Sequence, residues 1–260
     1  MYLKSSVILM FVTGCTYLMT LLPNRASKTI NTPEQEGIAV VELFTSQGCS
    51  SCPSADRLLS KLINETGTSD HPVFGLSFHV DYWNRLGWRD PYSSEEYTQR
   101  QYAYGRKLKL ETVYTPQMIV NGKLEFVGSN ERLAKQTINK VLASPAVANI
   151  TVEKLVAEPD QITLNYTMEN DLPGYVINAA IVERGISTDV KRGENHGRIL
   201  HHDNVVRVFQ QQEANQQGIF ELSMPEEIDL SKSSLILYGQ NLDNFEIGFA
   251  TKVSLDQLEN

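Results

Sequence analysis

Residues 42–53 read Glu42-Leu43-Phe44-Thr45-Ser46-Gln47-Gly48-Cys49-Ser50-Ser51-Cys52-Pro53. Residues 38–44 form an apolar run rich in β-branched side chains, which is typical of a buried strand. Residues 45–48 are a polar turn, and Pro53 suits the first turn of a helix. Apolar residues then recur at helical spacing: Leu58, Leu59, Leu62 and Ile63. The pattern therefore places Cys49 at a strand-to-helix junction and Cys52 in the first helical turn.

Two cysteines in this position have a defined chemistry. The start of a helix presents unpaired N–H groups and a partial positive charge, and both stabilise a thiolate over a thiol. A free cysteine titrates near ~8.5, and such sites bring its pKa to roughly 3.5–7.5. Cys49 is therefore the expected nucleophile, and Cys52 is the resolving thiol that releases a mixed disulfide. A buried structural disulfide and half of a zinc site are the alternatives.

Further elements of the first half follow from composition. Residues 73–80 predict a second buried strand, and the polar and aromatic residues 81–110 predict a mostly helical insertion. Thr115-Pro116 precedes an apolar strand over residues 117–120. Asn121-Gly122 is a strong hairpin signal, after which we expect a returning strand over residues 124–127 and a helix over residues 131–142.

The second half has a different pattern, with short alternating runs separated by turn-rich segments. This spacing is typical of a β-sandwich. We therefore expect one domain over residues 37–144 and a β-sandwich-like domain over residues 145–260, with a boundary near Ser144-Pro145.

The first 36 residues are not expected to belong to either domain. Lys4 precedes a mostly apolar run over residues 7–22, so residues 1–25 predict an export signal or an N-terminal anchor. Val12-Thr13-Gly14-Cys15 is similar to a bacterial lipobox, and lipidation of Cys15 is the alternative to a chance match. Residues 26–36 predict a linker. Each interpretation predicts an exported protein, periplasmic or extracellular, with or without attachment to a membrane.

Cysteine usage and charge restrict the function further. The chain has three cysteines and a net charge of −8. With Cys15 lost or lipidated, only the local pair remains, so disulfides do not supply the architecture. An acidic protein repels phosphate backbones, and we do not expect nucleic acid as a partner.

The chain resembles thioredoxins in the strand before the CxxC and in Tyr114-Thr115-Pro116-Gln117-Met118-Ile119-Val120. It is more closely similar to an uncharacterised family of exported thioredoxin-like proteins. That resemblance runs from Gly37 to the C-terminus and includes the cysteine segment and two further motifs: Phe78-His79-Val80-Asp81-Tyr82-Trp83 and Gly193-Glu194-Asn195-His196-Gly197-Arg198. The resemblance implies an α/β thioredoxin-like domain with a helical insertion, followed by an all-β sandwich-like domain. It supplies no substrate.

The resemblance also implies roles for individual residues. Pro116 is expected to be cis and to face the CxxC, and the backbone of Thr115 is expected to pair with an extended substrate. Glu42 is the nearest counterpart of the buried aspartate of thioredoxins. It is therefore a candidate proton acceptor for Cys52, with an edge position in the sheet as the alternative.

Residues outside these motifs supply weaker candidates. Asp81 and Trp83 follow a strand end, where they could shape a substrate groove, or they could simply pack under the insertion. His201-His202-Asp203 is a poor metal cluster, because adjacent residues on a strand point to opposite faces. We predict no metal and no cofactor.

These observations predict an extracytoplasmic thiol–disulfide oxidoreductase that acts on protein or peptide thiols and disulfides and depends on an unidentified redox partner. The alternatives are a binding module whose disulfide is a fixed clip, and a metal-delivery protein. Solvent accessibility of Cys49 separates an enzyme from a clip, because an enzyme must expose its nucleophile.

Overall fold

The computed structural model describes residues 37–66 and 73–258. The predicted export signal, the linker and Cys15 lie outside these residues. No helix in the described ranges is long and apolar enough to cross a membrane.

The first half contains the elements that its sequence pattern predicts. They are β1 (Ala39–Thr45), α1 (Cys52–Thr66), β2 (Val73–His79), α2 (Glu95–Leu108), β3 (Gln117–Val120), β4 (Leu124–Val127) and α3 (Glu131–Leu142). A short 3-10 turn over Asn84–Leu86 lies between β2 and α2. Ser94 caps α2, because its side chain accepts a hydrogen bond from the backbone N–H of Glu96.

The second half consists of strands. They are β5 (Ile150–Glu158), β6 (Gln161–Met168), β7 (Tyr175–Glu183), β8 (Ile186–Asp189), β9 (Ile199–His202), β10 (Val205–Glu213), β11 (Gln217–Ser223), β12 (Ser233–Asn241) and β13 (Ile247–Ser254). The hairpin of β8 and β9 is absent from the sequence prediction, because each strand has four residues and a mixed polar pattern.

The predicted fold class, an α/β thioredoxin-like domain with a helical insertion followed by an all-β sandwich-like domain, is wrong. One mixed sheet of eight strands runs through both halves in the order β13-β12-β7-β10-β2-β1-β3-β4. The part of the chain that the structure describes is mostly β, with three α-helices. A second sheet has the order β11-β6-β5, and β8 pairs with β9.

The physical reason for this difference is the outer edge of β2. An unpaired strand edge leaves backbone groups that need partners. The N–H of Ser77 donates to Asn204 O at 2.8 Å, and Asn204 Nδ2 donates to Gly75 O at 2.7 Å. β10 then joins β2 in parallel, with Val205 opposite Ser77. The sheet therefore continues into the second half instead of ending at β2.

Both faces of the large sheet are covered. On one face, α1 and α3 pack on β1 and β3 through Val41, Leu43 and Met118. On the same face further along, the three-stranded sheet packs on β7 and β12. The opposite face carries one apolar cluster that includes residues of α2. Of residues 81–110, which the sequence predicts to be a mostly helical insertion, residues 95–108 form α2, and this helix covers that face of the mixed sheet.

Glu42 lies on the α2 face of β1, fully buried. Arg100 of α2 donates to Glu42 Oε1 through Nε at 2.9 Å and Nη2 at 2.7 Å. The hydroxyls of Tyr104 and Tyr238 also donate to this carboxylate. Since α1 packs on the other face, through Val41 and Leu43, Glu42 is not a proton acceptor for Cys52.

The buried ion pair gives a prediction on stability. Arg100→Met should lower the free energy of unfolding by about 3–5 kcal/mol, because it leaves the charge of Glu42 buried without its partner. Urea denaturation of the full chain measures this loss. Arg106→Met is the matched control: Arg106 lies exposed on the same helix, and its substitution should change the value by under about 0.5 kcal/mol. Equal losses in both variants would contradict the prediction.

Candidate functional site

A disulfide joins Cys49 and Cys52 at the start of α1, with 5.4 Å between the Cα atoms. Cys52 is the first residue of α1, and its N–H donates to Cys49 O at 3.2 Å. Cys49 is 1% exposed and Cys52 is 0% exposed, whereas Ser50 and Ser51 between them are exposed. Solvent therefore reaches the intervening serines and not the sulfur atoms.

The connection between β8 and β9, residues 190–198, covers this disulfide, and we refer to it as the covering loop. Glu194 Oε2 accepts from the N–H of Ser50 at 3.0 Å. Asn195 Nδ2 donates to Gln47 O at 2.9 Å and to Cys49 O at 3.0 Å. Asn195 is fully buried, and Arg198 donates to its Oδ1 at 2.8 Å. The motif noted at residues 193–198 thus closes over the cysteines.

Trp83, Thr115 and Pro116 lie at the same site. The Thr115–Pro116 bond is cis, as the resemblance implied. Trp83 Nε1 donates to Thr115 Oγ1 at 2.7 Å, and a Cβ on Gly48 would lie 3.1 Å from the Cβ of Trp83. Trp83 therefore bridges the cysteine segment and the Thr115–Pro116 turn.

Pro116 approaches the first turns of α1 from the strand side. A Cβ on Gly128 would lie 3.2 Å from Ala55 Cβ and 3.3 Å from Pro116 Cβ. Asp81, by contrast, contacts α2: its Oδ1 accepts from Thr98 Oγ1 at 2.6 Å. Asp81 thus has the packing role that was its alternative, and it is not brought to the cysteines.

A buried polar cluster lies on the α1 face of the sheet, next to the cysteines. Asp56 of α1 accepts from Thr45 Oγ1 at 2.8 Å, and His202 Nδ1 lies 3.5 Å from Asp56 Oδ2. His79 Nδ1 lies 2.7 Å from Asp90 Oδ2, and the rings of His79 and His202 are 4.8 Å apart between centroids.

Within the described ranges, four buried side-chain atoms have no hydrogen-bond partner, and all four belong to residues on this face: Asp56 Oδ2, Ser77 Oγ, His79 Nε2 and His202 Nδ1. Buried polar atoms are rarely left unpaired, since each one costs about 1–3 kcal/mol. A concentration of such atoms beside one disulfide indicates a functional site rather than a purely structural one.

The tautomer of His202 follows from the orientation of Gln47. Trp88 Nε1 can only donate, and it donates to Gln47 Oε1 at 3.1 Å. The amide Nε2 of Gln47 is therefore the atom that faces His202 Nε2 at 3.4 Å. Since this amide is a donor, His202 Nε2 accepts, and the ring proton lies on Nδ1, which faces Asp56.

The cluster contains a charged pair, His79 and Asp90, and a neutral histidine, His202. Burial alone would lower the pKa of His79, but the charge of Asp90 raises it above its usual value. Burial would raise the pKa of Asp90, but His79 lowers it. Burial, reinforced by the charge of His79, lowers the pKa of His202 to about 3. His79 and Asp90 thus form a buried ion pair, and His202 stays neutral.

Asp56 is the group that can exchange a proton near neutrality. Burial raises its pKa to about 7, although the charge of His79 and the hydrogen bond from Thr45 oppose the shift. Asp56 is four residues after Cys52, and residues four apart lie on one helix face as neighbours. The sequence analysis missed Asp56, although its position among Ala55, Leu58 and Leu59 marks it as a carboxyl on a buried face.

The three residues of His201-His202-Asp203 do not act together. His201 is exposed, with Nδ1 2.8 Å from Ser187 Oγ, and Asp203 accepts from the N–H of Gly185 at 2.9 Å. In the described part of the chain, no three His, Cys, Asp or Glu side chains are placed to hold a metal ion.

Comparison with known proteins gives the family. Residues 40–240 match the family described as "Protein of unknown function (DUF1223)". The chain belongs to the DUF1223 family. This assignment makes no statement about the thioredoxin superfamily, and a search of curated proteins gives no match.

One solved structure is similar to this chain over most of its length. The crystal structure of protein AGR_C_4864 from Agrobacterium tumefaciens is similar at 31% identity with a TM-score of 0.60, over 84% of this chain and 95% of that chain. A β-glucosidase from Kluyveromyces marxianus is similar at 9% identity and a TM-score of 0.24, over 47% of this chain and 16% of that chain. The second likeness is too weak to carry an argument.

The raised pKa of Asp56 gives a prediction on pH dependence. The unfolded chain loses this proton near ~3.9, whereas the folded chain keeps it to about pH 7. Stability from this group therefore falls as pH rises through that window. Asp56→Asn cannot lose the proton, so its free energy of unfolding relative to the natural chain should rise by up to about 1.4 kcal/mol per pH unit.

Urea denaturation at several pH values between about 4 and 7 measures this difference. His202 contributes in the opposite direction, since its lowered pKa makes stability rise with pH, but it is present in both proteins and largely cancels. Asp160→Asn, at an exposed aspartate, is the control and should give a flat difference. A flat difference for Asp56→Asn would contradict the raised pKa.

Proposed function

We propose that the chain is a thiol–disulfide oxidoreductase that acts on protein or peptide thiols through Cys49 and Cys52. The observation that carries the proposal is the position of Asp56, a buried carboxyl with a pKa of about 7, one helical turn after Cys52. A disulfide that only clips two segments together needs no buried acid–base group beside it, and such groups lower stability.

The proposed reaction oxidises two substrate thiols to a disulfide and reduces the Cys49–Cys52 disulfide to two thiols. A substrate thiolate attacks Cys49 Sγ, the Cys49–Cys52 bond breaks, and Cys52 leaves as a thiolate that takes up a proton. The second substrate thiol then loses its proton and attacks the first substrate sulfur. This step releases Cys49 as a thiolate and leaves the substrate with a disulfide. Two electrons pass to the chain, and the reverse sequence reduces a substrate disulfide.

Asp56 supplies the proton that Cys52 needs. Cys52 is fully buried, so its leaving thiolate has no direct access to water. In the reverse direction Asp56 accepts the proton from the Cys52 thiol, as a general base with a pKa near the working pH. His202 Nδ1 lies 3.5 Å from Asp56 Oδ2, and neither atom has a hydrogen-bond partner in the closed form.

The covering loop must open for this chemistry. Three hydrogen bonds tie it to the cysteine segment: the two from Asn195 Nδ2 and the one that Glu194 accepts. Opening exposes Cys49 while Cys52 stays beneath the first turn of α1. We therefore propose that the described form is the closed state of the enzyme.

Partners and location belong to the same proposal. Export by residues 1–25 would place the chain in a periplasmic or extracellular space, where disulfides form and persist. A separate dithiol or disulfide protein would then return Cys49 and Cys52 to their starting state. No resident cofactor is required, because the electrons are held by the two sulfur atoms.

A fixed disulfide clip in a binding module is the second candidate. The observation that favours it is the burial of Cys49, which is 1% exposed, since a clip has no need of an accessible sulfur. The metal-delivery alternative gains no support from the contacts of the described residues.

Cysteine variants test the proposed chemistry. Cys49→Ser should abolish exchange between the reduced full chain and a small peptide disulfide, because the nucleophile is lost. Cys52→Ser should accumulate a mixed disulfide on Cys49, visible as an adduct by mass spectrometry, because nothing resolves it. The clip candidate predicts a disulfide that dithiothreitol reduces only after unfolding in urea, and that result would overturn the oxidoreductase proposal.

The covering loop gives a second prediction. Asn195→Ala removes two hydrogen bonds to the cysteine segment and should speed reduction of the native disulfide by about tenfold, since each bond contributes about 0.5–1.5 kcal/mol. His196→Ala is the matched control, because His196 is exposed in the same loop and should leave the rate unchanged. Quenched alkylation with time, read by mass spectrometry, measures both rates; equal rates would contradict a loop that gates the site.

A further inference from the structure

The two segments that contact the cysteine motif carry four exposed arginines, although the chain has a net charge of −8. We call them the arginine rim: Arg85, Arg89, Arg192 and Arg198, all with exposed side chains. Two lie between β2 and α2, and two lie in the covering loop.

Arg85 and Arg89 belong to a segment that is fixed against the cysteine motif at both ends. Trp83, at its start, lies against Gly48. At its end, Asp90 Oδ2 accepts from the N–H of Gln47 at 2.8 Å. The two arginines are therefore held beside the turn that precedes Cys49.

Arg192 and Arg198 are held at the same place by the covering loop. Arg192 precedes Gly193, where a Cβ would lie 3.1 Å from Trp88 Cβ. Arg198 donates to Asn195, the residue that contacts Cys49 O. The loop and the segment before α2 thus meet at Trp88, and the four arginines belong to two segments that contact each other and the cysteine motif.

The arginine rim is electrostatically unsatisfied. Some exposed cations elsewhere pair with carboxylates, as Lys61 does with Glu131 at 2.7 Å and Lys123 with Glu246 at 3.1 Å. Other exposed cations, such as Arg106, Lys154 and Lys252, have no ion pair among the described residues, but they are scattered over the chain. Among the described residues, no ion pair engages Arg85, Arg89, Arg192 or Arg198. The nearest exposed carboxylate on the motif is that of Glu194, and Lys191 is already paired with Asp189.

We infer that the arginine rim binds acidic peptide segments that flank the reactive cysteine of a substrate, an inference that rests on the proposed function. Guanidinium groups bind carboxylates in a planar, two-bond geometry that lysine does not offer. Leu86, 42% exposed between two of the arginines, adds apolar contact. A basic segment would meet like charges at these four positions.

Peptides of matched length test the inference on the full chain with Cys49 and Cys52 reduced, so that the Cys49 thiolate can attack the peptide disulfide. Each carries one mixed disulfide, flanked by acidic, neutral or basic residues, and second-order exchange rates are measured at low and at high salt. Cysteine-free versions of the same peptides give a dissociation constant by fluorescence anisotropy. We expect the acidic peptide to exchange about tenfold faster than the basic one at low salt, and the difference to collapse near 1 M salt, where the screening length is about 3 Å.

The variant R85Q/R89Q/R192Q should lose this preference, so that the ratio of the acidic-peptide rate to the basic-peptide rate falls toward one. The control R106Q/K154Q/K252Q removes the same number of exposed charges at sites distant in sequence from the motif, and it should keep the preference. A preference that survives in R85Q/R89Q/R192Q, or equal rates and equal dissociation constants for all peptides, overturns the inference. Failure of every peptide to exchange, with selective binding of the acidic one, refutes the oxidoreductase and retains the acidic-peptide surface.

Discussion

The candidate site depends on one short contact, the parallel pairing of β10 with the outer edge of β2. Asn204 and Val205 satisfy the backbone of Gly75 and Ser77 there. Because β9 ends at His202, directly before this contact, the pairing also fixes His202 beside α1. The β8–β9 hairpin and its covering loop are placed over the cysteines by the same constraint. Without this pairing, the first half would carry the disulfide but would lack the covering loop and His202 beside it.

The polar cluster behind the disulfide has a cost in stability that packing alone does not explain. Its residues occupy positions on the α1 face, where apolar side chains of ordinary size would pack without orphaned atoms. Each unpaired buried atom costs about 1–3 kcal/mol, and four of them belong to this face. Glu42 shows the contrast: it is equally buried, yet Arg100 and two tyrosine hydroxyls satisfy it. The first group is the candidate reactive site of the proposed function, and the second is a buried ion pair within the core.

Sequence reasoning succeeds for elements that are fixed by local pattern and fails for contacts between distant segments. The strand, turn and helix around Cys49 follow from apolar spacing and Pro53, because each is decided within about ten residues. The alternating runs of the second half also predict strands, but alternation identifies buried residues and not the partner strand, so it does not predict that β10 pairs with β2. The face of Glu42 was undecidable for a related reason: all seven residues of β1 are buried, so burial gives no signal of which side α1 covers.

The closed covering loop buries the cysteines, whereas thiol–disulfide exchange requires access to Cys49. The charges of Glu194 and of the Cys49 thiolate explain how one site can have both a closed and an open form. In the disulfide form neither sulfur is charged, so the carboxylate of Glu194 rests on the N–H of Ser50 without repulsion. Under the proposed function, reduction places a thiolate on Cys49 at the same helix start. Two negative charges then compete for the N–H groups and the partial positive charge of one helix terminus, and like charges disfavour each other's ionised form. The reduced state therefore weakens the contact of Glu194 that holds the covering loop, and the oxidised state restores it. Under the proposed function, the burial of Cys49 therefore belongs to the oxidised form, and reduction weakens the contact that keeps the covering loop closed.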